Sequence, residues 1–371
     1  MISLWILLQF IASQNFNMRT SVDSELYISG ADDMINGQFP KGREIFYFSY
    51  MCILAVLSIL NLGYENVIYV HFLAAIIAIY FSYQLALKLT DNNPMAVITP
   101  LLYILWIKFQ QWNLIIYTDA IFSHMVIISI YALVKSRNVK EQMVVILLII
   151  FTSFLRPSGL GLLIATAIYL VNRFTESREV KLYPRLIMLT LLILIFAWFL
   201  NYALNNFIDS FIESYKMAEI IYPNINILVN QPLHLYIPDT NYQPLFRLFL
   251  FIVNNPVYFI KISIVKGLLF LGHIKPYYSF AHNLFIVGFL YPTYLLAIKG
   301  FLSMKKDSLK LLMLSFLVFQ FLTICLTTEN WDGRFLLPIL PVIFTLASIG
   351  VSNYLYKKPV VTLDSNASAR S

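Results

Sequence analysis

Residues 17–43 read NMRTSVDSELYISGADDMINGQFPKGR, and the reading of this stretch decides the rest. It lies between two apolar segments and, with the next residue, sets Asp23, Glu25, Asp32, Asp33 and Glu44 in one short loop of a chain that is only 12% charged. Ionisable groups beside hydrocarbon are costly to keep, so a chain that avoids charge elsewhere and crowds carboxylates here is expected to use at least one of them. Exposure to water accounts for Asp32 and Asp33 equally well. Asp23 and Glu25 differ, because they follow the first apolar segment by only about ten residues, within reach of a lipid headgroup. The loop is therefore expected to be the catalytic edge of a membrane enzyme.

Composition supports the membrane setting. The 371 residues are 59% hydrophobic and 16% aromatic, with a mean hydropathy of +0.74, more apolar surface than a soluble core of that length buries. The fold class expected is all-α and polytopic, with about 11–12 transmembrane helices and small interfacial helices outside the membrane. A net charge of +7 would suggest nucleic acid in a soluble protein. Here the basic residues fall in short loops between apolar runs, which the positive-inside bias explains without a nucleic-acid partner. Cys52 and Cys325 both lie inside apolar runs and indicate neither a disulfide framework nor a metal site. The N-terminal MISLWILLQFIA has no basic flank and no small-residue cleavage site, so it reads as a short span and not as a removed signal peptide.

Further along, residues 45–62, 67–87, 118–134, 183–206, 281–298, 309–326 and 335–356 read as clear spans. Residues 94–117 are apolar but interrupted by Lys108, Gln110 and Gln111, and are expected to dip in and out of the bilayer near Lys108. Residues 143–172 are too long for one span and break at Arg156-Pro157-Ser158-Gly159 into two short helices. Residues 257–272 carry Lys261 and Lys266 and suit an interfacial helix at least as well as a span. The expected organisation is an N-terminal transmembrane module at 1–206 with its first external loop at 14–44, an extracytoplasmic and interfacial segment at 207–280, C-terminal helices at 281–356 and a disordered cytoplasmic tail at 357–371. The basic loops at 135–140, 173–185 and 299–310 and the tail place themselves in the cytoplasm. Arg156, the 207–255 segment and residues 328–334 then meet the acidic first loop on the opposite face.

Within that constellation, Asp23-Ser24-Glu25-Leu26-Tyr27 followed by Ala31 and Gly37 resembles the D-x-x-x-Y...A...G pattern after the first span of GT-C glycosyltransferases, the superfamily of protein O-mannosyltransferases and aminoarabinose transferases. Thr118-Asp119-Ala120-Ile121-Phe122 is similar to that family's acidic start of a middle span, Leu155-Arg156-Pro157-Ser158-Gly159-Leu160 to its R-P turn, and Arg334-Phe335-Leu336-Leu337-Pro338-Ile339-Leu340-Pro341 to its late R-[FY]-x-x-P-x-x-P span. The family's adjacent Asp-Glu pair is here parted by Ser24, and the shortness of the run after the last span leads us to expect no large soluble C-terminal domain. The resemblance implies transfer of a sugar from a polyprenyl-phosphate donor to a lipid, glycan or protein acceptor on the extracytoplasmic face.

Such a transfer needs a base for the acceptor and cations for the departing phosphate. Asp23 and Glu25 are the catalytic candidates, with Asp23 as base, since Tyr27 and Ala31 follow it at helical spacing and lipid on one side would desolvate its carboxylate. Arg334, Arg156, Lys275 and Lys266 are the candidate phosphate ligands, although snorkelling to headgroups suits the two lysines slightly better. Asp119, Tyr27, His273 and Asp332 are the substrate-binding candidates. The five histidines show no metal-ligand spacing and no organic cofactor is implied, while a divalent ion stays open. No phosphate-binding or dinucleotide glycine motif and no zinc-protease motif occurs. Two rival classes share the composition: a multi-span transporter or lipid-linked sugar flippase, and a polysaccharide polymerase or ligase.

Overall fold

The computed structural model describes residues 1–16, 19–177, 182–305 and 307–356, so the tail at 357–371 and the basic residues Arg178 and Lys181 lie outside the described residues. After α1 (Ile2–Asn15), the acidic loop folds largely into a helix, α2 (Val22–Ile35), in keeping with the helical spacing of Tyr27 and Ala31 behind Asp23. Its start is fixed by the backbone N–H of Ser21, which donates to Ser24 Oγ at 2.8 Å, a local bond that favours a helix N-terminus. Ser24, Tyr27, Gly30 and Ala31 recur at helical spacing and are buried, while Glu25, Asp32 and Asp33 face outward. Amphipathic periodicity, masked in the sequence by the density of carboxylates, wins over loop composition.

The membrane part is built from α3 (Phe48–Ile59), α4 (Val67–Thr90), α8 (Thr118–Lys135), α10 (Leu160–Ser177), α11 (Leu182–Leu204), α15 (Phe280–Ser303), α16 (Ser308–Leu326) and α17 (Leu340–Tyr356). Together with the 3₁₀ turns that precede several of them, these give, among the described residues, eight stretches long and apolar enough to cross a membrane, or nine if α13 (Pro244–Asn254) and α14 (Pro256–Gly272), bent by 102°, count as one. That is fewer than the sequence count. The difference lies in α1 with 14 residues, α9 (Val139–Ser153) with 15, α14 with 17, and the broken run α5 (Asn93–Ala96), α6 (Ile98–Leu105) and α7 (Ile107–Trp112). The run breaks at Trp106, whose extended backbone (φ −77°, ψ 95°) ends one helix two residues before Lys108.

α8 and α17 are central, 78% and 83% buried along their apolar stretches, whereas Leu186–Leu204 of α11 is 6% buried and lies on the outside of the bundle. α15 lies against α17 at glycine level: a Cβ on Gly300 would stand 1.9 Å from the Leu346 carbonyl oxygen, and one on Gly350 2.0 Å from that of Leu296. A second, smaller core joins α12 (Ile208–Lys216), α13 and α14 through Phe211, Tyr215, Phe251 and Ile262. It is fastened to the main bundle by two short parallel strands, β1 (Ile221–Tyr222) and β2 (Glu329–Asn330). Lys88, Lys135, Arg137 and Arg173 gather at one end of the bundle. Asp119 lies in the first turn of α8 and Lys135 closes it, so about 24 Å of helix, at about 1.5 Å per residue, separates that basic end from the carboxylates.

Candidate active site

Two irregular segments are stitched together to make the site. Arg19 and Ile115 form an isolated parallel bridge, with Arg19 N–H donating to the Leu114 carbonyl at 3.3 Å and Ile116 N–H to that of Arg19 at 3.2 Å. One turn further, Ser24 Oγ donates to the Ile116 carbonyl at 2.8 Å. The entrance to α2 is thereby held against the entrance to α8, and Asp23 meets Tyr117, whose hydroxyl donates to its carboxylate at 2.5 Å and accepts the Asp23 backbone N–H at 3.3 Å.

Below this seam a buried polar network holds residues 106–117 in place. Asn113 donates to Gln9 Oε1 at 3.1 Å and bonds His124 Nε2 through its own oxygen at 2.8 Å. The Asn113 carbonyl lies 3.2 Å from His71 Nδ1, while Tyr50 and Tyr103 cover the far nitrogens of His71 and His124. Irregular backbone at membrane depth is tolerated only where protein satisfies its polar groups, and these side chains do so.

The centre of the site is a chain of alternating charge. Asp119, buried in the first turn of α8, accepts Arg156 Nη1 on one oxygen at 2.5 Å and faces Arg334 Nη1 across 3.6 Å on the other. Arg334 Nη2 reaches Asp23 at 3.6 Å. The Arg334 guanidinium lies over the Tyr117 ring at 4.6 Å and near Trp112 and Phe335 at 5.4 and 5.3 Å, while Phe335 also lies 5.4 Å from Arg156. Tyr27 is buried among the rings of Tyr47, Tyr50 and Tyr117. The Tyr117 hydroxyl is pushed above its ordinary value, first by burial and then by Asp23, against the pull of Arg334, so it stays a donor.

Exposure separates the two carboxylates. The Asp119 side chain is 2% exposed and carries structure, while that of Asp23 is 41% exposed and open to a ligand. The described partners of the Asp23 carboxylate are the Tyr117 hydroxyl and the Arg334 guanidinium. Glu25 is exposed and makes no hydrogen bond or ion pair with the described residues.

The structure does not bring all the candidates to this centre. Lys266 lies under the second core, its ammonium 4.0 Å from the Tyr215 ring and donating to the Thr327 carbonyl. Lys275 is fully buried against Glu329 at 3.3 Å and donates to the Asn330 carbonyl. Burial lowers the Lys275 pKa and raises that of Glu329, each partly opposed by the other's charge. His273, buried beside Trp106, has no hydrogen-bond partner on either ring nitrogen, and burial holds it well below its ordinary value, with Lys275 and Lys108 adding to the shift. Asp332 pairs with Lys108. Among the described residues no three His, Cys, Asp or Glu side chains are grouped to hold a metal ion.

Tyr117 and Trp112, which frame Arg334, were not singled out in the sequence. The position of Tyr117 directly before Thr118-Asp119 was the one local signal that pointed to it.

No protein-family model matches the chain, and no curated protein matches it. Among solved structures it is similar to ArnT from Cupriavidus metallidurans in the apo state, with a TM-score of 0.47 and 14% sequence identity, over 94% of this chain. The chain spans 58% of that chain's length.

Proposed function

We propose that the chain is a membrane glycosyltransferase that moves a sugar from a polyprenyl-phosphate donor to an acceptor hydroxyl at the extracytoplasmic surface. The observation that carries this reading is the juxtaposition of a half-exposed carboxylate, Asp23, with a stacked guanidinium, Arg334, whose two terminal nitrogens stand 3.6 Å from Asp23 and from Asp119. Both distances exceed a direct hydrogen bond, so the guanidinium fork keeps capacity for an incoming oxyanion.

In the proposed step the acceptor oxygen attacks the anomeric carbon and its proton passes to Asp23. The bond from that carbon to the phosphate oxygen breaks, and its electron pair leaves with the polyprenyl phosphate, where Arg334 stabilises the added charge. Arg156 and Asp119 hold Arg334 in register, and Tyr117 orients the Asp23 carboxylate. The extracytoplasmic placement rests on the opposite end of the bundle, where Lys88, Lys135, Arg137 and Arg173 gather, and on the positive-inside bias.

The test is direct. The purified chain, given a labelled polyprenyl-phosphate sugar and a mixture of lipid and glycan acceptors, should release polyprenyl phosphate and pass label to an acceptor. Movement of the intact donor across a vesicle bilayer without cleavage would replace the enzyme with a flippase.

A further inference from the structure

Residues 327–334 run from the end of α16 to the 3₁₀ turn Arg334–Ile339 as a strap, and nearly every residue along it is gripped by a different neighbour. The Thr327 carbonyl accepts the Lys266 ammonium. Glu329 and Asn330 pair with β1, while the Lys275 ammonium lies 3.3 Å from Glu329 and donates to the Asn330 carbonyl. The Trp331 carbonyl accepts both the Tyr277 hydroxyl at 2.8 Å and that of Tyr278 at 3.2 Å. Asp332 is paired with Lys108. Gly333 has φ +69°, and a Cβ there would stand 2.1 Å from the His273 ring. The next residue is Arg334.

We infer that this strap aims the Arg334 guanidinium between Asp23 and Asp119, and that Lys275 is its principal positioning residue, acting through Glu329 and the Asn330 backbone and not on a substrate. Lys275 has no exposed side-chain surface, so its ammonium meets no ligand. A buried ion pair adds little net stability over apolar packing of similar volume, yet removing one partner strands the other. A pair of that kind fixes geometry. It explains why Lys266, Lys275 and His273 lie away from the Asp23 centre yet all touch one short segment that contains Asp332 and ends at Arg334. The inference concerns where Arg334 points and stands whatever that residue binds.

Phenylglyoxal modification of arginines in the purified full chain, quantified site by site by mass spectrometry, tests it without any substrate. Arg156 serves as the internal reference, because it holds the same Asp119 carboxylate from a different element and is comparably buried, 10% exposed against 13% for Arg334. Lys275→Met should release the strap and raise the Arg334 modification rate by about tenfold or more, with Arg156 unchanged, as local opening without global unfolding requires. Should Lys275→Met fail to fold, the Tyr277→Phe/Tyr278→Phe variant, which removes only two bonds near the surface, decides by a rise of about threefold at Arg334 alone. An unchanged Arg334 rate in a folded variant overturns the inference, and so does a parallel rise at Arg156, which marks general loosening.

Discussion

Asp23 and Asp119 carry the same functional group in opposite settings, and substitution should tell them apart. Asp23→Asn keeps the bond from Tyr117 and removes only the ability to take a proton, so sugar transfer should fall by about 10²–10⁴-fold while donor binding survives. Glu25→Gln should be milder, and a reversed pattern would exchange the two roles. Asp119→Asn acts on the scaffold instead: it leaves Arg156 buried without a carboxylate, a change that costs about 3–5 kcal/mol and should appear first as lost folded protein in detergent. Arg334→Ala should weaken donor use by at least about tenfold, and Arg334→Lys by less, since lysine keeps the charge but loses the fork. Equal kinetics for wild type and Arg334→Ala at normal expression would make Arg334 purely structural. Asp23, Asp119, Arg156 and Arg334 stood out in the sequence because charge is rare in it. Tyr117 and Trp112 were not, since aromatic residues are 16% of the chain and nothing in their type distinguishes ring packing from a guanidinium platform. Lys266 and Lys275 were grouped with Arg334 by charge alone, and charge does not say whether an ammonium faces a ligand or a carbonyl.

The elements show what apolar run length conveys and what it conceals. The long uninterrupted runs became α4, α8, α11, α15, α16 and α17, and the Arg156-Pro157 break separated α9 from α10 as its sequence required. α2 was legible only in part: Tyr27 and Ala31 follow Asp23 at helical spacing, but the carboxylates of its outward face suit a loop as well. The close approach of α15 and α17 was hidden, since Gly300 and Gly350 lie 50 positions apart in the sequence and only the fold opposes them. Gly300→Ala or Gly350→Ala places a methyl against backbone, so either should lower the thermal midpoint, with overpacking typically costing about 1–3 kcal/mol, whereas Gly288→Ala, which meets open space, should not. The turn after α14 makes a pH prediction. His273 is held neutral in the folded chain while an unfolded chain protonates it below about pH 6.5, so the unfolded state binds more protons there and stability falls as pH drops from 7 to 5, by up to about 1.4 kcal/mol per unit. Glu329, raised by burial, contributes with the opposite sign, so the informative quantity is the difference from His273→Asn, a residue that tolerates the same left-handed backbone. Parallel pH profiles for the two proteins would exclude His273 as the source.

For the molecule as a whole, the orientation is checked by single cysteines on a background lacking Cys52 and Cys325. Cysteine at Glu25 or Trp331, both exposed at the end that holds the site, should react with an impermeant reagent outside intact cells, and cysteine at Lys140, exposed beyond the other end of α8, should not. The inverse pattern would turn the molecule over. The site also has a history in synthesis. Asp119 and Arg156 are 37 residues apart and can pair as soon as α9 follows α8 into the membrane. Asp23 and Tyr117 are 94 apart, but Tyr117 precedes Arg156 in the chain, so they can meet earlier still. The contact between Lys108 and Asp332 spans 224 residues, and Arg334 lies just beyond it. The ribosome adds about 5–20 residues per second, so for many seconds the nascent chain carries a paired Asp119 and a tethered Asp23 with no Arg334 between them. Any product terminated between Arg156 and Arg334 shares that condition. Arg334 stands in the turn that leads into α17, so the constellation waits for that turn and is completed only when α17 is packed against α8 and α15.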